Sequence, residues 1–135
     1  MKTRILVLCT GNSARSQIAE GFFREKAGKT ILVESAGTKP KNIHPLAVAV
    51  MKESGIDISR QRSKDVASFA GEKFDHVITV CDNAKENCPV FPGAKTTHWS
   101  IPDPITLEDF RKVRDELEGK ITALIALLEL DSPSR

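Results

Sequence analysis

The sequence predicts an open α/β sheet of four parallel strands with helices on both faces, and three observations carry that reading. Short, continuous apolar runs suit strands buried on both sides. They alternate with segments of helical period, as crossover connections require. A long final segment, Leu107 to Leu130, carries Phe110, Val113, Leu117, Ile121, Leu124, Ile125 and Leu128 on one stripe, the signature of a helix laid against a core.

Taken in order, Arg4 to Cys9 reads as the first strand and Ala14 to Ala27 as the first helix, with Ile18, Ala19, Phe22 and Phe23 facing inward and Gly28 at its end. Thr30 to Glu34 is the second strand, closed by Ser35-Ala36-Gly37-Thr38, and Lys39 to Asn42 is a loop. His44-Pro45 opens a helix through Ser54, with Pro45 in the first turn and Gly55 at the cap. Ile56 to Ser59 connects it to the basic Arg60-Gln61-Arg62, and a short helix covers Asp65 to Ala70. His76 to Cys81 is the third strand and Lys95 to Trp99 the fourth.

The chain of 135 residues reads as one domain, 1–135, without repeats or low-complexity segments. Its net charge of +2 lacks a basic tract with interleaved aromatics, which speaks against nucleic acid as a partner. No apolar stretch is long enough for a membrane span and no cleavable leader stands out, so the expectation is a cytoplasmic protein with no membrane partner. Three cysteines, an odd number, argue against a structural disulfide framework.

The chemistry centres on Cys9-Thr10-Gly11-Asn12-Ser13-Ala14-Arg15-Ser16, where a strand, a tight loop and a helix meet. Gly11 and Asn12 tolerate positive φ, so successive N–H groups of residues 10 to 14 can turn toward one tetrahedral oxyanion at the amino end of a helix. Arg15 supplies a planar, bidentate clamp. In that field the thiolate of Cys9 is the nucleophile, with Ser16 donating a hydrogen bond to it.

Ligands of parallel sheets bind beyond the carboxyl ends of the strands. Cys9 ends the first strand and Cys81 the third, so both thiols are expected at one edge. A helical segment would hold Cys81 and Cys88 about 10 Å apart at ~1.5 Å per residue, too far for a disulfide, which closes over at most about 7 Å. A bond between them demands local unwinding, which makes the segment a redox switch. A zinc site is disfavoured, because His44, His76 and His98 fall in no ligand spacing with the cysteines. Asp103, fixed between Pro102 and Pro104 after the fourth strand, is placed to protonate a departing oxygen.

With these residues in view, the chain resembles the low-molecular-weight protein tyrosine phosphatase fold family, and within it is similar to the thioredoxin-coupled arsenate reductases. The likeness rests on Cys9 to Glu20, Ser35-Ala36-Gly37, Ile56 to Ser59, Val80 to Pro89, His98-Trp99 and Asp103-Pro104. It implies a relay in which Cys9 attacks arsenate, Cys81 attacks Cys9 as arsenite leaves, and Cys88 takes over the disulfide, which thioredoxin then reduces. It also implies a protein without a bound cofactor, competition by phosphate or sulfate, transient docking of thioredoxin, and a monomer. Ala14 stands where many relatives carry a second loop cysteine that is no part of the relay.

Some relatives hold a monovalent cation with groups matching Asn12, Glu20, Ser35 and a carboxylate whose position here is Lys64. No bound metal is therefore expected, and Lys64 either replaces the ion with its ammonium or is simply solvated. The main rival function is a phosphatase acting on phosphotyrosine or a small ester through Cys9, Arg15 and Asp103. Ile105 follows the Asp-Pro pair where such phosphatases carry an aromatic residue, and hydrolysis has no use for Cys81 and Cys88. A third reading is a redox sensor that binds oxyanions without turnover.

Overall fold

The computed structural model describes residues 2–81, 89 and 91–130, and the architecture is the expected one. The strands are β1 (Thr3–Cys9), β2 (Ile31–Gly37), β3 (His76–Thr79) and β4 (Lys95–His98). They form one parallel sheet in the order β2-β1-β3-β4. The helices are α1 (Arg15–Ala27), α2 (Pro45–Glu53) and α3 (Leu107–Leu130), with a single 3-10 turn over Val66–Phe69. None of the described helices is long and apolar enough to cross a membrane.

β1 lies between two neighbours, and every residue from Ile5 to Cys9 is buried, as a strand covered on both faces requires. α1 packs on β1, β2 and α3, and α2 packs on α1 and α3. The inner face expected for α1 holds, with Ile18, Ala19, Phe22 and Phe23 fully buried. Gly21 extends that face, because a Cβ there would sit 2.7 Å from Ile58 Cγ2. Phe69, Phe74 and Phe91 form a smaller edge-to-face cluster that Arg4 covers, its guanidinium 4.5 Å from the Phe74 ring centre.

Helix boundaries follow their caps. His44 Nδ1 accepts from Leu46 N at 3.0 Å to start α2, and Gly55 takes the left-handed conformation (φ 78°) just past its end. Asp65 caps the 3-10 turn through Ala67 N, which makes the expected short helix shorter still.

Three strand ends differ from expectation, β4 by one residue, since it stops at His98 before Trp99. β2 continues through Ser35 to Gly37, because β1 remains its partner to Cys9 and Gly37 N donates to Lys64 O at 2.9 Å. β3 stops at Thr79, two residues short of Cys81. Val80 N still donates to Leu8 O, but beyond Cys9 the neighbouring chain turns into a loop and leaves nothing to pair with. The expected helix between Cys81 and Cys88, and Cys88 itself, lie outside the described residues.

Candidate active site

The loop Cys9 to Ala14 sits at the carboxyl edge of β1, where parallel sheets place their ligands. Its backbone is laced from outside by the segment that follows β2. Thr38 N donates to Cys9 O, Lys39 N to Thr10 O (2.8 Å), Lys41 N to Gly11 O (2.8 Å) and His44 N to Ser13 O (2.9 Å). Asn12 O accepts from Ser63 Oγ at 2.8 Å and from Gln17 Nε2 at 3.1 Å. In a trans peptide the N–H of the next residue points opposite the carbonyl. With the carbonyls of residues 9 to 13 engaged on the outer side, the N–H groups of residues 10 to 14 are turned toward the inside of the loop. Asn12 N shows the direction, since it reaches Cys9 Sγ at 3.2 Å.

Asn12 is the residue that takes the left-handed conformation, at φ 46°; Gly11, expected to share that role, does not. Gly37 is where glycine is sterically required. A Cβ there would lie 2.4 Å from Thr10 O and 2.8 Å from Asn12 N, so β2 must end without a side chain for the loop to pass over it.

Ser16 is fully buried, its Oγ 2.9 Å from Cys9 Sγ. Asn12 Nδ2 donates to the same Oγ at 2.8 Å, which leaves the hydroxyl hydrogen for the sulfur. The other hydrogen of that amide goes to Ser35 Oγ (2.9 Å), and Ser35 Oγ donates to Glu20 Oε1 (2.6 Å). Glu20 is 2% exposed, and two cations balance it: Arg24 Nε at 2.9 Å and Lys64 Nζ at 3.4 Å. Lys64 is therefore not a solvated surface lysine. Its ammonium lies against Glu20 Oε1, with Arg62 O at 3.0 Å and Glu34 Oε1 at 3.7 Å. A continuous chain of polar contacts thus runs from the Lys64 ammonium to the Cys9 sulfur.

Arg15 is held by the segment after β4, with Nη1 donating to Ile101 O at 3.0 Å and Nη2 3.6 Å from Asp103 Oδ1. Asp103 is largely exposed beside that guanidinium. Cys81 lies at the same edge as Cys9. Its sulfur is 3.2 Å from Thr10 Oγ1, and both cysteines are buried. His98 Nδ1 meets Thr79 Oγ1 at 2.8 Å behind this edge. Among the described residues no group of His, Cys, Asp and Glu side chains could hold a metal ion.

Three supports were not singled out from the sequence. Gln17, fully buried, reaches Asn12 Oδ1 (3.0 Å) and Arg62 O (2.9 Å), and Gln61 Nε2 donates back to Gln17 Oε1 (2.8 Å). Ser63 Oγ bridges Asn12 O and Lys41 O. A signal for the first existed: Ser16, Gln17 and Glu20 are polar residues on a helix whose neighbours are all core. The others come from loops distant in sequence and left none.

The loop forms a cup of N–H groups whose chemistry suits an anion, with the Cys9 thiol buried in it, the Cys81 thiol against Thr10 on its wall, and Arg15 paired with Asp103 on the segment after β4. The sequence signature described as low molecular weight phosphotyrosine protein phosphatase matches residues 4–134. Arsenate reductase 2 of Staphylococcus saprophyticus is 43% identical over 123 residues, which are 89% of this chain and 94% of the relative. An arsenate reductase solved in the oxidized state superimposes with a TM-score of 0.83 at 37% identity, covering 93% of this chain and 98% of the other. A thioredoxin-dependent arsenate reductase of Corynebacterium glutamicum gives 0.84 at 29% identity, over 97% of this chain and 64% of that one. The chain belongs to the low molecular weight phosphotyrosine protein phosphatase family.

Proposed function

We propose that this chain is an arsenate reductase working through Cys9, Cys81 and Cys88. The Cys9 thiolate attacks arsenate held by the loop N–H groups and Arg15, and Asp103 protonates the departing oxygen, which leaves as water. The Cys81 thiolate then attacks Cys9 Sγ. A sulfur–sulfur bond forms, the sulfur–arsenic bond breaks with its electron pair going to arsenic, and arsenite departs. Cys88 attacks Cys81 Sγ and releases the Cys9 thiolate, leaving Cys81 and Cys88 joined. A dithiol protein, thioredoxin in this reading, reduces that bond in a transient encounter with a monomeric enzyme.

The observation that carries the reading is the Cys81 sulfur 3.2 Å from Thr10 Oγ1. A thiol on the wall of the cup is idle in phosphate ester hydrolysis and necessary for reduction. Phosphatase chemistry uses the same Cys9, Arg15 and Asp103, so the test runs both reactions side by side. With thioredoxin, thioredoxin reductase and NADPH, arsenate is expected to drive NADPH oxidation that disappears in Cys81→Ser and falls about 10- to 100-fold in Asp103→Asn. Rapid hydrolysis of p-nitrophenyl phosphate with no arsenate-dependent NADPH oxidation would make the protein a phosphatase.

A further inference from the structure

The strap that laces the loop from outside carries two lysines at fixed stations. The backbone N–H groups of Lys39 and Lys41 are spent on the carbonyls of Thr10 and Gly11, so both residues are held at fixed backbone positions beside the loop. The Lys41 stem lies over Gly11, its Cδ and Cγ 3.7 and 3.8 Å from where a Cβ on that glycine would be. Both side chains are exposed, and neither ammonium enters an ion pair among the described residues. Two nearby cations are engaged: Arg15 by Ile101 O and Asp103, and Lys64 by Glu20 and Glu34.

We propose that Lys41, supported by Lys39, captures the dianionic substrate at the mouth of the loop before Arg15 and the backbone take hold of it. The inference rests on the oxyanion reading of the loop and extends the binding machinery beyond the Cys9-to-Arg15 segment. The physics is that of a free charge beside a concave anion site. It acts within about one Debye length, ~8 Å at physiological ionic strength, and raises the rate of productive encounter. It also discriminates between substrate and product, since arsenate arrives as an anion and arsenite leaves as an uncharged acid at neutral pH. The effect belongs to kcat/KM at low arsenate.

The test needs no arsenate turnover. Reduced protein is treated with iodoacetate, an anion, or with iodoacetamide, its neutral counterpart, and modification of Cys9 is followed by peptide mass spectrometry. Lys41→Met keeps the stem over Gly11 and the backbone hydrogen bonds while removing the charge, and Lys41→Arg restores it. At low ionic strength the ratio of iodoacetate to iodoacetamide rates at Cys9 is expected to fall about threefold in Lys41→Met and to recover in Lys41→Arg. The difference should vanish near 1 M salt, where the screening length is about 3 Å. An unchanged ratio in Lys41→Met overturns the proposal, and so does a loss that persists at high salt, which is the mark of altered packing. Failure of the protein to reduce arsenate would defeat the proposed function and leave this ratio standing.

Discussion

Asn12 joins more of the site than any other side chain. Its left-handed backbone turns the loop, its N–H reaches Cys9 Sγ, and its amide fixes both Ser16 and Ser35 while its Oδ1 accepts from Gln17 Nε2 and Lys64 N. A carboxamide suits the position because it both donates and accepts, and because asparagine tolerates φ > 0 better than most residues. Asn12→Gly keeps that conformation available and deletes only the side chain. It is expected to leave the fold intact, to lower the melting temperature, and to reduce kcat/KM for arsenate about 10- to 100-fold, since Ser16 loses its orienting donor. Circular dichroism and steady-state kinetics on the one variant check both parts. The loop from Cys9 to Arg15 between β1 and α1 is legible in the sequence because it is one local motif. Lys64 at Glu20 was legible only as an alternative, because contact between residues 44 positions apart depends on how two loops meet.

At the scale of elements, α2 and α3 are joined by a cluster that sequence pattern does not announce. Glu53, at the end of α2, accepts from Arg111 Nη2 at 2.9 Å and from Arg114 Nη1 at 2.7 Å, and Arg114 also donates to Val50 O. The two guanidiniums hold the Glu53 carboxyl well below its ordinary range, at about 2. A carboxyl whose pKa is depressed by folding stabilises the native state above its unfolded value, 4.5, and loses that contribution as pH falls through about 2. Glu53 and Arg111 are solvent-exposed, so the effect is small. Glu53→Gln should lower the melting temperature by about 1–3 °C at pH 6, with the gap to the parent closing between pH 4 and pH 2. A gap that is constant over that range would mean that lost packing, not charge, is being measured. The apolar stripe of α3 was readable in full, whereas Glu53, Arg111 and Arg114 look in sequence like any charged helix surface.

For the whole molecule, the alternation of strands and helices was enough to foresee a parallel sheet and, with it, two thiols at one edge. The order β2-β1-β3-β4 was not foreseen, because the pattern of apolar runs does not say which strands are neighbours. That order matters to the chemistry. β1 and β3 are adjacent, so the chain leaving β3 delivers Cys81 to Thr10 on the loop leaving β1. Within the strap the sequence marks Lys39 to Asn42 only as a loop, since its role depends on backbone groups that no side chain advertises. The relay itself is tested most directly by a single turnover: fully reduced protein is mixed with arsenate without any reductant, quenched with an alkylating agent, and assayed for arsenite and for the state of each cysteine. About one arsenite per chain is expected, with Cys81 joined to Cys88 and Cys9 left free to alkylate. Three alkylated thiols and no arsenite, from protein that hydrolyses p-nitrophenyl phosphate, would contradict the account.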